Sequence, residues 1–223
     1  MENGIRGCVF DLDGTLADTA PDIAVALNSA LREVGQPPLP VQEVVTLIGG
    51  GIPTLVDRAV AKLGAPTSIA GLLVDRMLYH YNHSFCVETR AMTGVVTCLE
   101  ALKQRGMPMA VCTNKDQAIA HKIVEALGLD SYFIKTIGRQ PNVPKKPDPA
   151  MLMIAAECLE CSVETVVMIG DSDVDAQTAR AAGSTAVILR NGYFSGDHGE
   201  IGADHLIDDM TGLLPLLDDL SDA

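Results

Sequence analysis

Hydrophobic and polar positions along the chain fall into two regimes. Short apolar runs at 7–10, 109–112, 134–138, 166–169, 185–189 and 203–207, bounded by Gly, Asp, Thr or Pro, read as strands buried on both faces. Between and after them, apolar residues recur at helical spacing over 95–104, 116–127, 150–159, 174–182 and 210–220, with Gly128 and Gly183 as stops. Alternation of this kind predicts an α/β fold, a doubly wound Rossmann-like parallel sheet with helices on both faces. Ligands of such sheets bind at the carboxyl ends of the strands.

One stretch breaks the alternation. Asp18-Thr19 supplies a helix cap and Pro21 a first-turn proline, and Ile23, Leu27, Ala30, Leu31 and Val34 then keep a helical period up to Gly35. After the stiff connector Pro37-Pro38-Leu39-Pro40, helices are expected over 41–47, from Pro53 to Gly64, and over 67–85. No strand is predicted from about residue 17 to 88. The expected organisation is a core of 1–16 plus 89–223 with an inserted α-helical cap at 17–88. The acidic tail from Asp218 onward is expected to fray.

Composition narrows the function. The 223 residues are 48% hydrophobic, enough for a sizeable core, but only 4% aromatic with no Trp, so that core must be aliphatic. A net charge of −13 argues against a nucleic-acid partner, which needs clustered Lys and Arg. No apolar stretch approaches the length of a membrane span, and the first residues lack a signal-peptide pattern, so a cytoplasmic protein without a membrane partner is expected. Six cysteines in this length do not suggest a disulfide scaffold. Cys8, Cys98 and Cys112 sit in apolar runs, and the single Cys158-Leu-Glu-Cys161 lacks the second pair that a zinc site needs.

The candidate chemistry gathers at the ends of the apolar runs. Asp11 and Asp13 follow the first strand two residues apart, so an extended backbone turns both carboxylates to one side. Two close negative charges persist if a cation sits between them or one holds a proton. Thr113-Asn114-Lys115 ends the second strand with a hydroxyl, an amide and an ammonium. Lys145 and Lys146 lie in a proline-rich loop. Gly170-Asp171 ends another strand, and Asp175 follows four residues later, in the first turn of a helix, so that both carboxylates can face one cation.

Taken in order, Asp11-Leu-Asp13-Gly-Thr, Thr113-Asn114, Lys146-Pro-Asp-Pro and Gly170-Asp171-Ser-Asp-Val-Asp175 resemble the four motifs of the haloacid-dehalogenase-like (HAD) phosphohydrolases, and within them the phosphoglycolate phosphatase group. The resemblance covers essentially the whole chain, including Gly192-Tyr193 and Gly202-Ala203-Asp204. It implies a Mg²⁺ cofactor, Asp11 as nucleophile and Asp13 as the acid that then serves as base. Thr113, with Asn114 beside it, would bind the phosphoryl group, and Lys146 would neutralise its charge, with Lys145 as runner-up. It also implies Mg²⁺ held by Asp171, the Asp11 side chain and the Asp13 carbonyl, with Asp175 as a ligand or a partner of the ligands; Asp173 could compete with Asp175.

The substrate implied is a small phosphorylated metabolite, 2-phosphoglycolate first, handled by a monomer or homodimer. Gly49-Gly50-Gly51 is the candidate specificity loop, since glycines let backbone N–H groups approach a compact anion. Arg58, Lys62, His80, His83 and Arg90 are candidates for a substrate carboxylate; His121, His198 and His205 show no partner pattern. A phosphomutase of the β-phosphoglucomutase type keeps the same chemistry and is the alternative. A phospho-accepting signalling module would need only about half the length. Phosphonate hydrolases and dehalogenases of the family lack an acid at the Asp13 position.

Overall fold

The structure, a computed structural model, describes residues 4–221. Its strands are β1 (Gly7–Phe10), β2 (Ala17–Asp18), β3 (Arg90–Ala91), β4 (Met109–Asp116), β5 (Lys135–Arg139), β6 (Val166–Gly170), β7 (Thr185–Leu189) and β8 (His205–Ile207). Its helices are α1 (Ala20–Glu33), α2 (Val41–Val45), α3 (Ile52–Leu63), α4 (Ala70–His83), α5 (Val95–Gln104), α6 (Gln117–Ala126), α7 (Ala150–Cys158), α8 (Asp173–Ala182) and α9 (Leu213–Ser221).

Six strands form one parallel sheet in the order β5-β4-β1-β6-β7-β8. β1 is fully buried because the sheet is covered on both faces. Cys8 and Phe10 point into one core layer, and Val9 points into the other, with Met151, Leu152 and Met168. That two-sided burial is why the strand reads as an unbroken apolar run. From β1 the chain builds outward through β4 and β5, then returns to the other side of β1 with β6. The two directions diverge at β1, which opens a crevice at the carboxyl ends of β1, β4 and β6.

The helices α1 to α4 lie between β1 and β3, with α1 and α3 packed on α4. The expectation of no strand across 17–88 is corrected at its edge. Ala17 pairs with Ala91 and Asp18 with Arg90 in a two-residue antiparallel ladder that closes the stem of the insert. So short a strand leaves no period in the sequence, and its partner lies more than seventy positions away. Asp22 completes the stem: its buried carboxylate accepts from the N–H groups of Val87 (2.9 Å), Glu88 (3.1 Å) and Thr89 (2.8 Å) and from the Thr89 hydroxyl (2.7 Å).

Two other boundaries move. β4 runs to Asp116, beyond the apolar 109–112, with its register against β5 shifting between Cys112 and Asp116. Its polar end faces the crevice, where apolar periodicity has no purpose. At the C-terminus the expected fraying is absent from 218–221: α9 continues to Ser221, and Arg105 pairs with Asp218 at 2.6 Å. The last two residues of that tail lie outside the described residues.

The stem yields a contrast in stability. Asp22→Ala leaves the buried Thr89 N–H and hydroxyl and two partly buried N–H donors unpaired and is expected to cost about 2–3 kcal/mol, whereas Asp218→Ala, which breaks an exposed pair, is expected to cost under about 1 kcal/mol. Urea midpoints at unchanged m-value measure both, and equal losses would refute this account of the stem.

Candidate active site

The crevice is a cavity of about 280 Å³ roofed by the helical insert. Asp11, Asp13, Thr113, Asn114, Lys115, Lys146 and Asp171 line it from the sheet side, and Gly49, Gly50, Gly51, Arg58 and Tyr81 from the insert. Asp11 and Asp13 extend β1 while the intervening Leu12 is fully buried in the core, as i, i+2 geometry requires. Gly14 turns the chain immediately afterwards at φ 80°, and a Cβ there would collide with the Asp171 carboxylate.

Lys146, 2% exposed, is the central cation. Its Nζ lies 2.6 Å from Asp175 Oδ1 and 3.0 Å from Asp11 Oδ1, and donates to the Cys112 carbonyl at 2.9 Å. Burial works against its charge, but the Asp11 and Asp175 carboxylates more than offset that, and its pKa stands above the ordinary lysine value. Asn114 holds the loop that carries it: Asn114 Nδ2 donates to the Lys146 carbonyl, and the Lys146 N–H donates to Asn114 Oδ1, both at 2.9 Å. Thr113 Oγ1 accepts from Lys115 N at 3.3 Å and faces the cavity. Lys145 points elsewhere, donating to the Gly50 carbonyl (3.1 Å) and Thr54 Oγ1 (3.3 Å) of the insert.

The fourth motif is built by a capped helix. Ser172 caps α8 in a capping box with Asp175, whose Oδ2 accepts from Ser172 Oγ (2.6 Å), Ser172 N (3.2 Å) and Asp171 N (3.3 Å). Both Asp175 oxygens are therefore engaged. Asp173 turns toward Gln177, which donates to it at 3.3 Å. Asp171 Oδ2 accepts from Tyr193 N at 2.6 Å.

Carboxylate oxygens of Asp11, Asp171 and Asp175 lie within 4.8 Å of one another, while the Asp13 side chain is outside this group. Among the described residues Asp11 Oδ1 receives no hydrogen bond: its contact with Lys146 is one of charge, without hydrogen-bond geometry. Burial pushes the Asp11 carboxyl up, Lys146 pulls it down, and Asp175 and Asp13 push it up again, to about 6. Burial, Asp175 and Asp11 likewise hold Asp171 well above the usual carboxylate range. Three carboxylates, two buried and that of Asp11 partly so, against one ammonium, with hard oxygen donors and one oxygen lacking a hydrogen-bond donor among the described residues, fit a divalent cation such as Mg²⁺.

On the insert side, Gly49, Gly50 and Gly51 all take positive φ (108°, 80° and 87°), a path that side chains would strain, and Gly51 starts α3. Arg58 Nη1 secures this loop by donating to the carbonyls of Leu47 and Ile48, both at 3.1 Å, and Gly49 at 3.4 Å. Of the cationic candidates in the insert only Arg58 lines the cavity. Lys62 pairs with Glu43 (2.9 Å) and His80 with Glu33 (2.7 Å); His83 bonds the Tyr79 carbonyl (2.7 Å), and Arg90 donates to the Val87 and Thr89 carbonyls. His121, His198 and His205 lie outside the cavity lining, and Cys158 and Cys161 are free thiols.

Four lining residues have roles that sequence reasoning left unassigned. Lys115 Nζ donates to Asp13 Oδ1 at 2.7 Å, and Thr19 Oγ1 donates to the same oxygen at 2.6 Å. Tyr81 reaches the cavity from α4, and Arg139 from the end of β5. Tyr193 Oη accepts from the N–H groups of Thr19 (2.7 Å) and Ala20 (2.9 Å) and donates to Asp18 (2.7 Å), tying the loop after β7 to the stem. The pair Gly192-Tyr193 was the only sequence signal for it.

Comparison with known proteins agrees with this arrangement. The model of the haloacid dehalogenase-like hydrolases matches residues 5–183. A phosphoglycolate phosphatase of Cereibacter sphaeroides (strain ATCC 17025) is 38% identical over 189 residues, 84% of this chain and 86% of that one. Another, from Nitrosospira multiformis, is 39% identical over 209 residues, 91% of each. A crystal structure described as a predicted phosphoglycolate phosphatase of Haemophilus somnus superposes with a TM-score of 0.86 at 30% identity, over 95% of this chain and 97% of that one. With its motifs gathered at the carboxyl edge of one parallel sheet, the chain belongs to the haloacid dehalogenase-like hydrolases.

Proposed function

We propose that this hydrolase is a Mg²⁺-dependent phosphatase that cleaves a small phosphomonoester through an aspartyl-phosphate on Asp11, with 2-phosphoglycolate as substrate. The observation that carries the reading is the convergence of Asp11, Asp13, Lys146 and Asp171 in one cavity beneath the insert. The relatives' names support the substrate. So does size: about 280 Å³ falls below the roughly 300–1,000 Å³ of sites for larger ligands.

In this reading Asp11 attacks phosphorus in line while Asp13 protonates the leaving alkoxide; Asp13 then takes a proton from the water that attacks the phosphoaspartate, releasing phosphate. Lys146 and the Thr113 hydroxyl meet the equatorial oxygens. Asp11, Asp171 and the Asp13 carbonyl would hold Mg²⁺, which would supply further neutralisation of phosphoryl charge. Asp175 aims Lys146 and braces the loop, which suits a partner of the ligands better than a direct ligand, since both its oxygens are engaged. Asn114 holds the Lys146 backbone in place. Residues 17–88 act as the cap that excludes water. Gly49 to Gly51 face the substrate there, and Arg58, which commits only Nη1 to the glycine loop, keeps other N–H groups for a carboxylate. The free cysteines suit a cytoplasmic setting.

Two outcomes are expected. Asp11→Asn abolishes phosphate release from 2-phosphoglycolate in a malachite-green assay while the circular dichroism spectrum is retained; turnover persisting in a folded Asp11→Asn protein would refute the nucleophile assignment. The second concerns pH. With its carboxyl raised to about 6, Asp11 keeps its proton below that pH, and a cation must displace it. Above about 6 the ionised carboxylate burdens the fold until a cation neutralises it. Mg²⁺ is therefore expected to raise Tm more at about pH 7.5 than at about pH 5, by scanning calorimetry; an equal or larger shift at the lower pH would contradict the metal assignment.

A further inference from the structure

Lys115 occupies a position that the chemistry above does not use. It ends the polar part of β4, is 7% exposed, and gives its ammonium to Asp13 Oδ1 at 2.7 Å. The same Nζ lies 5.0 Å from the ring centroid of Tyr81, which comes from α4 in the insert and is 1% exposed. The Tyr81 hydroxyl has no hydrogen-bond partner of acceptable geometry among the described residues, and the Tyr81 side chain covers the Lys115 ammonium. Asp13 Oδ1 thus has two donors, Lys115 from the sheet and Thr19 from the stem, while no protein donor to Oδ2 is found among the described residues.

We propose that Lys115, covered by the Tyr81 ring, is a positioning residue that fixes one oxygen of Asp13 and leaves the other for proton transfer to the leaving group, in a manner that requires the insert to be closed. The inference rests on Asp13 being the proton donor. Its physical basis is desolvation. An ammonium–carboxylate pair at 2.7 Å is stronger where solvent is reduced, and Tyr81, from the insert, covers the Lys115 side of this pair. Lys115 and Thr19 hold Asp13 Oδ1, so Oδ2 is the oxygen that gives its proton to the leaving oxygen as the P–O bond breaks and the Asp11–phosphorus bond forms. When the insert swings away, the ring leaves, water reaches the pair, and Asp13 is held less firmly.

The test compares leaving groups. Glycolate leaves 2-phosphoglycolate as an alkoxide that needs a proton; acetate leaves acetyl phosphate, of similar size, without one. Lys115→Met is expected to lose on the order of 100-fold in kcat/KM on 2-phosphoglycolate, the low end of a general acid's contribution, and about threefold on acetyl phosphate. Lys115→Arg, which restores the charge, should recover part of the ratio. Tyr81→Leu should lower the same ratio at least about fivefold further than Tyr81→Phe, which keeps the ring. This pair lies outside the sheet and decides the matter should Lys115→Met not fold. Equal losses on both substrates in Lys115→Met, or equal ratios in the two Tyr81 variants, would overturn the inference while leaving the phosphatase reading intact if Asp11→Asn is inactive on both. Turnover of either substrate by Asp11→Asn would overturn the phosphatase reading, and this inference with it.

Discussion

Three carboxylates held within 4.8 Å of one another against a single buried ammonium set the terms for the rest of this structure. Like charges at that distance in a poorly solvated site repel strongly, and nothing in the local chain would hold them there without compensation. The compensation is distributed. Lys146 answers Asp11 and Asp175, the capping box satisfies the other Asp175 oxygen, and the Tyr193 N–H answers Asp171. What stays unbalanced, the excess negative charge and the hydrogen-bonding capacity of Asp11 Oδ1, is what a divalent cation would bring into balance.

Such a concentration of charge needs a scaffold that delivers side chains from distant parts of the chain to one point with little freedom. A parallel sheet does so because all its carboxyl ends lie on one edge. β1, β4 and β6 are neighbours; Asp11 and Asp171 directly follow β1 and β6, and Thr113 opens the polar part of β4. Close approach is part of the design. Gly14 passes so near Asp171 that any Cβ would collide with it, and Gly51 of the insert lies where a Cβ would stand 3.3 Å from the Asn114 carbonyl. The insert therefore touches the same strand end that positions Lys146 through Asn114.

The parts legible in the sequence were those where a local rule and the global fold agree. β1, α5 and β7 have the limits their apolar runs imply, and Gly64 and Gly183 end their helices in the left-handed conformation. Of the residues that line the cavity from the sheet side, Asp11, Thr113 and Asp171 were legible because each follows an apolar run, and Lys146 through its Lys-Pro-Asp-Pro loop. Where partners are remote, the sequence was mute. The β2–β3 stem, the Tyr193 tie to Thr19 and Ala20, and the Lys115–Asp13 pair join residues separated by about seventy to more than 170 positions, and no spacing rule reaches that far. Among Arg58, Lys62, His80, His83 and Arg90, Lys62 and His80 are engaged by Glu43 and Glu33, partners that only the packed helices create, whereas His83 and Arg90 bond carbonyls within four positions of themselves.

A net charge of −13 would at first sight make this a poor host for an anion. The objection weakens once distances are considered. Surface carboxylates act through water and salt, where interactions fade beyond about 8 Å at physiological ionic strength. Arg58, Lys115, Arg139 and Lys146 line the cavity itself, where a bound anion would meet them directly. Few cations therefore suffice, provided they are aimed, and here the aiming is done by acids. Asp175 directs Lys146, and Asp13 holds Lys115. The excess of carboxylates in the site is thus part of how the positive groups are kept in place.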